Sequence, residues 1–588
     1  MWRHKKISTI FTSSASHYDK FLRQEALPDM RRVHTVIESS LTIYNMTTLK
    51  LFLAAAAAFF SISQADAAYS SDISSIDQEY RDTESVEDSS VSMAALQRRF
   101  VDLRFGMFIH FNMPTFVNED WPDPDASPDL FNPTRLDCRQ WAKAAKSAGM
   151  TYGCLTTKHH SGFCIWDTRT TDYSVMSSPL RRDVVKEYVD AFRDEGLDVM
   201  LYYSILDTHA HLRPGWITPE HKELVKTQLR ELLTNYGRIT ALIIDGWDAP
   251  WSRISYDDIP FEEIYALIKS IQPECLVMDL NAAKYPTDAL FYTDIKSYEQ
   301  GAGQKIDKDG NALPALSCYP IQKNWFWKTT FPTAPLKDIE VLVNENIVPM
   351  GKAYCNFILN VAPNRDGLMD DNALKALKQI GKAWEAAEPG AARRAALAID
   401  PGYRADDSRF SECAAPITAS NLAKHRRADS SWSYDMEISE FACDDDFESA
   451  WVANALANGD PHLEIYLDKE LPFNQIVLTE ETGSEISGYR IDYRRNGEWK
   501  ELMKVNADGT ATSVTSTGQD IVPDGTDESQ ILSALKSGRV TILNFNEVYG
   551  DAVRISVTDY RKSFAPDGVY RSGSTVAISE FGVYRTRR

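Results

Sequence analysis

Three histidines and one carboxylate stand where apolar runs of the chain end. His110 follows Phe105-Gly106-Met107-Phe108-Ile109, and His159 and His160 follow Tyr152-Gly153-Cys154-Leu155-Thr156-Thr157-Lys158. Asp245 closes Leu242-Ile243-Ile244 and is followed by Gly246. Imidazoles exchange protons and hydrogen bonds near neutral pH, and a carboxylate pushed out of an apolar strand can attack, accept a proton or cap a turn. A single histidine on an apolar strand is ordinarily a core residue. Three at strand ends, with Glu119, Asp120, Trp121 and Trp166 nearby, favour a pocket. Asp245 stays open at this point between catalysis and a turn cap. Gly246 would let a ligand approach the backbone there.

These residues need elements to hold them. FGMFIHF and YGCLTTK read as buried strands. Between them Trp141, Ala144, Ala145 and Ala148 recur at helical spacing, from Asp137 to a stop at Gly149. Strand, crossover helix and strand make a βαβ unit, whose functional groups gather at the carboxyl ends of the strands. The alternation continues with a helix over 182–195, the strand DVMLYYS at 198–204, and a helix opened by the cap pair Thr218-Pro219 and striped by Leu224, Val225, Leu229, Leu232 and Leu233. ALIIDG at 241–246 follows, then a helix through Phe261, Ile264, Leu267, Ile268 and Ile271, then CLVMDL. ALFYTDIKSYE (289–299) reads as a sixth strand and YCNFILNVAP (354–363) as the last. About eight strands separated by helices, with no glycine-rich nucleotide loop, predict an α/β fold, a (β/α)₈ TIM-like barrel over 93–400, rather than an open doubly wound sheet.

The stretches GMFIHFNMPTF with NEDW, FNPTRLDCRQWAKAAKSAGM and TYGCLTTKHHSGFCIWDT, in order and at matching spacing, resemble the amino-terminal half of the α-L-fucosidases of glycoside hydrolase family 29. The resemblance implies a retaining glycosidase that uses two carboxyl groups about 5 Å apart. It assigns Asp245, at a strand end in Asp-Gly, as nucleophile. Glu299, in Tyr298-Glu299-Gln300, is implied as acid/base, with Asp294 as its rival. It gives His110, His159 and His160 to holding fucose and places Glu119 and Trp121 at the pocket wall. Trp247, Trp251, Trp325 and Trp327 are candidate sugar platforms, since the apolar face of a pyranose packs on a ring. Three departures stand out. Ser161 replaces the aspartate that usually follows the double histidine. A Trp-Glu pair is missing from Asn324-Trp325-Phe326-Trp327-Lys328, and no arginine lies between Arg253 and Arg365 where some relatives place one near the nucleophile. The expected partner is a fucosylated glycan, with no cofactor and no metal. A barrel glycosidase of another sugar preference and a non-catalytic sugar-binding homologue are the alternatives.

The 588 residues suffice for two or three domains, and a net charge of -21 argues against nucleic acid or an anionic membrane as partner. Eight cysteines without a close CxxC pair suggest buried thiols, at Cys154, Cys164, Cys275 and Cys355, rather than a disulfide scaffold or zinc site. Residues 46–67 read as a signal peptide: Met46, Lys50, an apolar run from Leu51 to Ile62, and Ala65-Asp66-Ala67 as a cleavage site. Residues 1–68 would then be lost, 69–92 would be a disordered linker, and the product would be secreted or periplasmic, with no membrane association afterwards. Over 405–588 short alternating strands divided by Gly, Asn and Asp turns predict an all-β sandwich, which resembles the galactose-binding-like, discoidin-type domains appended to these fucosidases.

Overall fold

In the computed structural model the described residues are 91–286, 289–311, 313–390, 416–434, 436–454, 459–481, 483–513, 539–560 and 573–586. The upstream extension and signal peptide (1–68), linker residues 69–90 and the 391–415 junction lie outside them.

Eight parallel strands run β1 Phe105–Ile109, β2 Tyr152–Lys158, β3 Asp198–Ser204, β4 Ala241–Asp245, β5 Leu276–Asp279, β6 Lys296–Glu299, β7 Ala315–Pro320 and β8 Cys355–Asn360. Their order, β5-β4-β3-β2-β1-β8-β7-β6, is that of a (β/α)₈ barrel. Inward side chains of the strands pack together: Phe108, Cys154, Met200, Tyr202, Ile243, Met278, Leu316 and Ile358. The helix Met93–Leu103 adds Leu96, Phe100 and Leu103 to this interior. Sequence reading had not assigned that helix.

The edge strands β5 and β6 are not backbone-paired. Residues 289–295, expected within the sixth strand, fill that seam instead, so β6 is only Lys296–Glu299. Asp294 takes the place of a rung: its N–H donates to the Val277 carbonyl at 2.7 Å, and its carboxylate accepts the Val277 N–H at 2.8 Å. Fully buried, it also pairs with Lys269 at 2.8 Å and accepts from Tyr265 at 2.9 Å. The Gln97 side chain bonds its carbonyl at 2.9 Å.

Outside the strands, crossovers use the helices Cys138–Ser147, Val184–Asp194, Pro219–Thr234 and Phe261–Ile271. Thr218 and His221 form a capping box, with Pro219 in the first turn, as the sequence suggested. After β5 and after β6 only short 3₁₀ turns follow. Among the described residues no helix is long and apolar enough to cross a membrane.

The carboxyl-terminal region is all-β and antiparallel, in the order β10-β16-β11-β15-β12-β13-β14 with β9 on β11. Here β9 is Arg427–Ser430, β10 Trp451–Asn454, β11 His462–Glu480, β12 Ile486–Arg495, β13 Glu498–Val505, β14 Ala511–Ser513, β15 Val540–Tyr560 and β16 Gly573–Tyr584. Register breaks at Tyr466/Leu471 and Phe473/Gln475 divide β11. Both of its halves contribute to one apolar core, Leu463, Ile465 and Leu467 from the first and Ile476 and Leu478 from the second. The second half has no solvent face: Val477, with Val540 and Tyr584, belongs to the barrel's outer core, while Ile476 and Leu478 face the β-domain core.

Candidate active site

Every group of the site sits at or just beyond the carboxyl end of a barrel strand. His110 follows β1, His159 and His160 follow β2, Asp245 ends β4 and Glu299 ends β6. Asp245 is 5 % exposed. Tyr202, from β3, donates to its Oδ2 at 2.6 Å, Asn281 donates to Oδ1 at 3.0 Å, and His160 Nε2 lies 3.9 Å from Oδ2. Burial raises the Asp245 carboxyl above its usual range, against the opposing hydrogen bonds from Tyr202, Asn281 and the Gly246 N–H. Gly246 has φ +114°, and a Cβ there would stand 2.9 Å from Ile205, so the chain can leave β4 in this way only through glycine.

Glu299 is half-buried, and its proton is held up to about pH 7 by burial first and the charge of Asp245 second, with a hydrogen bond to Trp325 acting the other way. The two carboxyls therefore share one electrostatic environment while differing in their donors. Such divergence separates an acid from a nucleophile. Asp294 belongs to the amino-terminal side of β6 and to the seam, away from Glu299.

The imidazoles are neutral. Burial depresses all three, His110 and His159 well below the ordinary histidine range and His160 to about 3. His110 Nδ1 meets Asn360 Oδ1 at 2.8 Å, and His160 Nδ1 meets Ser204 Oγ at 2.8 Å. Asn360 also donates to the Trp325 carbonyl at 2.7 Å, which fixes the loop after β7 against β1. His159 Nδ1 is buried and has no hydrogen-bond partner. Its ring lies 4.8 Å from Phe326 and 5.8 Å from Tyr202, and the Trp325 ring is 5.0 Å from that of His110.

Behind the double histidine, buried Ser161 supplies no carboxylate. Asp207, from the loop after β3, does: it pairs with fully buried Lys158 at 3.2 Å. A Cβ on Gly162 would be 2.1 Å from its Oδ1.

The tryptophans divide. Trp121 stacks on His160 at 4.9 Å and Trp251 lies 4.1 Å from the same ring, 50 % and 42 % exposed. Trp247, expected as a sugar platform, is instead fully buried; its indole N–H donates to the Ile259 carbonyl at 2.8 Å and its ring packs on Phe261. Trp327 is 8 % exposed, donates to Asp370 at 2.7 Å and lies beneath the Arg365 guanidinium, so its faces are taken. Glu119 is exposed, while the neighbouring Asp120 pairs with Lys328 at 2.7 Å. Sequence reasoning missed Tyr202, Asn281, Ser204, Phe326 and Asn360. Tyr202, Ser204 and Asn360 lie within the last three residues of β3 and β8, a position the sequence does signal, whereas Asn281 lies two residues past β5 and Phe326 in the loop after β7. Among the described residues no group of three or more His, Cys, Asp or Glu side chains is arranged to hold a metal ion.

A family model described as Alpha-L-fucosidase matches residues 124–387, a span that contains Asp245 and Glu299. Over that span the chain is similar to the α-L-fucosidases. Alpha-L-fucosidase 1 of Arabidopsis thaliana is 28% identical over 427 residues, 68% of this chain and 76% of that protein. Putative alpha-L-fucosidase 1 of Oryza sativa subsp. japonica is 30% identical over 311 residues, 49% of this chain and 57% of that protein. Tissue alpha-L-fucosidase of Bos taurus is 25% identical over 348 residues, 50% of this chain and 68% of that protein. As an α-L-fucosidase the chain is a glycoside hydrolase, and its substrates are fucosylated glycans.

Proposed function

We propose that this α-L-fucosidase is a retaining exo-enzyme that frees terminal α-L-fucose from oligosaccharides or glycoconjugates by double displacement. The observation that carries the reading is the pairing of buried Asp245 with Glu299, whose proton the Asp245 charge helps to hold up to about pH 7. Glu299 donates that proton to the glycosidic oxygen while Asp245 attacks the anomeric carbon, forming a fucosyl-enzyme ester. Glu299, now ionised, takes a proton from water, which displaces Asp245 and restores both groups. The neutral histidines 110, 159 and 160 hold ring hydroxyls as donors and acceptors. The unpartnered Nδ1 of His159 supports this, because a buried polar atom without a partner is costly until a ligand supplies one. Trp121 and the Trp325–Phe326 pair offer apolar faces to the sugar ring and its methyl group.

Two further parts belong to the same reading. Residues 46–67, ending in Ala65-Asp66-Ala67, act as a leader that sends the enzyme to the periplasm or the medium, so residues 1–68 are absent from the mature protein. Amino-terminal sequencing of secreted material tests this, and a soluble extracellular chain beginning at Met1 refutes it. The β-domain is galactose-binding-like and acts chiefly as a buttress, supported by the Val477 and Tyr584 side chains in the barrel core.

The deciding experiment replaces Asp245 with Gly. Turnover should be nearly abolished and fucose binding retained, and azide should restore cleavage with formation of β-fucosyl azide. Near-normal turnover in that variant overturns the mechanism.

A further inference from the structure

We infer that Asn281, locked in place by buried Asp279, is a positioning residue that fixes the carboxylate plane of Asp245 for attack; the inference rests on the reading of Asp245 as nucleophile. Asp279 is the last residue of β5 and is fully buried. Its Oδ1 accepts the main-chain N–H of Asn281 at 2.8 Å, which closes a turn two residues long. Its other oxygen accepts the Tyr256 hydroxyl at 2.5 Å. The turn aims the Asn281 amide back at Asp245, where it donates to Oδ1, while Tyr202 from β3 on the opposite flank holds Oδ2.

An aspartate side chain turns broadly about its terminal torsion, so a carboxylate anchored through one oxygen can swing its other lone pairs off the line of attack. Donors on both oxygens, from strands on either side of β4, remove that freedom. Both are neutral. Among the described residues no lysine or arginine hydrogen-bonds Asp245, and all three neighbouring imidazoles are uncharged. The nucleophile is thus oriented without a cation drawing off its charge. Tyr256, which completes the hold on Asp279, is stacked on Tyr292 at 3.9 Å, and the Tyr292 hydroxyl reaches the Ala419 carbonyl at 3.2 Å. The clamp is therefore braced outside the pocket.

The test uses the full chain and an activated aryl α-L-fucoside. Asn281→Ala should lower kcat about 10- to 100-fold with KM changed no more than about threefold, because orientation is lost while the hydroxyl contacts remain. Asp279→Ala should show the same split. The double variant should be no slower than Asn281→Ala, since both changes remove one device. Asp279→Asn keeps an oxygen for the Asn281 N–H and should stay within about fivefold of wild type, which separates positioning from folding should the alanine variant be unstable. Full activity in Asn281→Ala, or losses that multiply in the double variant, overturns the inference. Asp245→Gly distinguishes the two levels: azide rescue there with a fully active Asn281→Ala sinks the clamp alone, whereas near-normal turnover of Asp245→Gly sinks the nucleophile and the clamp together.

Discussion

The Tyr202 hydroxyl donates to Oδ2 of Asp245 at 2.6 Å across the β3–β4 pair. Ser204 is the direct register partner of Asp245, and Tyr202, two residues earlier, points to the same inward face. Burial drives the Asp245 carboxyl toward its neutral form, and this hydrogen bond opposes it. Tyr202→Phe should therefore raise the Asp245 pKa further. The acidic limb of the kcat/KM profile should move to higher pH by about one to two units, from the roughly 1.5–3 kcal/mol of a hydrogen bond to a charged group. An unmoved limb would separate Asp245 from that ionisation.

The alkaline limb belongs to Glu299. The acid must carry its proton to cleave an unactivated glycoside, and that proton is held up to about pH 7. Since deprotonation removes the acid, kcat/KM for a natural oligosaccharide should be level between the acidic limb and that pH and fall tenfold per unit above it. Glu299→Ala should slow such substrates about 10² to 10⁴-fold and abolish the limb. An aryl fucoside whose phenolate leaves unaided should be slowed much less in the first step, so that the fucosyl-enzyme accumulates. Equal loss on both substrates would assign the role elsewhere.

Trp251 sits at the rim with 42 % of its surface exposed, outward of His160, which in turn flanks Asp245. A sugar beyond the fucose can stack on it; α-L-fucosyl fluoride has none. Trp251→Ala should raise KM for fucosylated oligosaccharides about 5- to 12-fold, matching an aromatic contribution of roughly 1–1.5 kcal/mol, and leave the fluoride within twofold. Comparing the two substrates in one preparation decides it.

Asp294 predicts a stability effect in place of a catalytic one. Its carboxylate closes the seam between β5 and β6 and pairs with Lys269 at 2.8 Å. Asp294→Ala should cost about 3–5 kcal/mol by denaturant unfolding, the range for breaking a buried ion pair, while the folded fraction keeps its pH profile. A stable but inactive variant would return Asp294 to the chemistry.

Strands β2 and β3 and the helix Phe261–Ile271 were legible to the residue, because unbroken apolar runs and 3.6-residue stripes report burial directly. The place of Asp245 at the end of β4 was legible for the same reason, an apolar run ending in a charge. The seam was not, since 289–295 is as apolar as a strand, and it is the Asp294 side chain, standing where a backbone rung would be, that shows it is none. Trp247 and Trp251 look alike in sequence and diverge in space. Positive φ at Gly246 and Asp248 turns the chain so that the first indole enters the core and the second reaches the pocket rim. Periodicity carries no information about such a turn. Asn281 was hidden too, because its role depends on a turn closed by its neighbour Asp279.

The shared faces of β11, β15 and β16 bear on how this chain could have evolved. A strand whose alternate residues belong to two different cores, as Ile476, Val477 and Leu478 do, cannot be inherited as a cassette. A barrel cut free after Ala387 would present to water the apolar surface that Val477, Val540 and Tyr584 now cover, and a β-domain moved to another host would carry the complementary face uncovered. Each partner therefore constrains substitutions in the other. Exchange of the β-domain between relatives succeeds only when the recipient barrel already carries a matching outer wall.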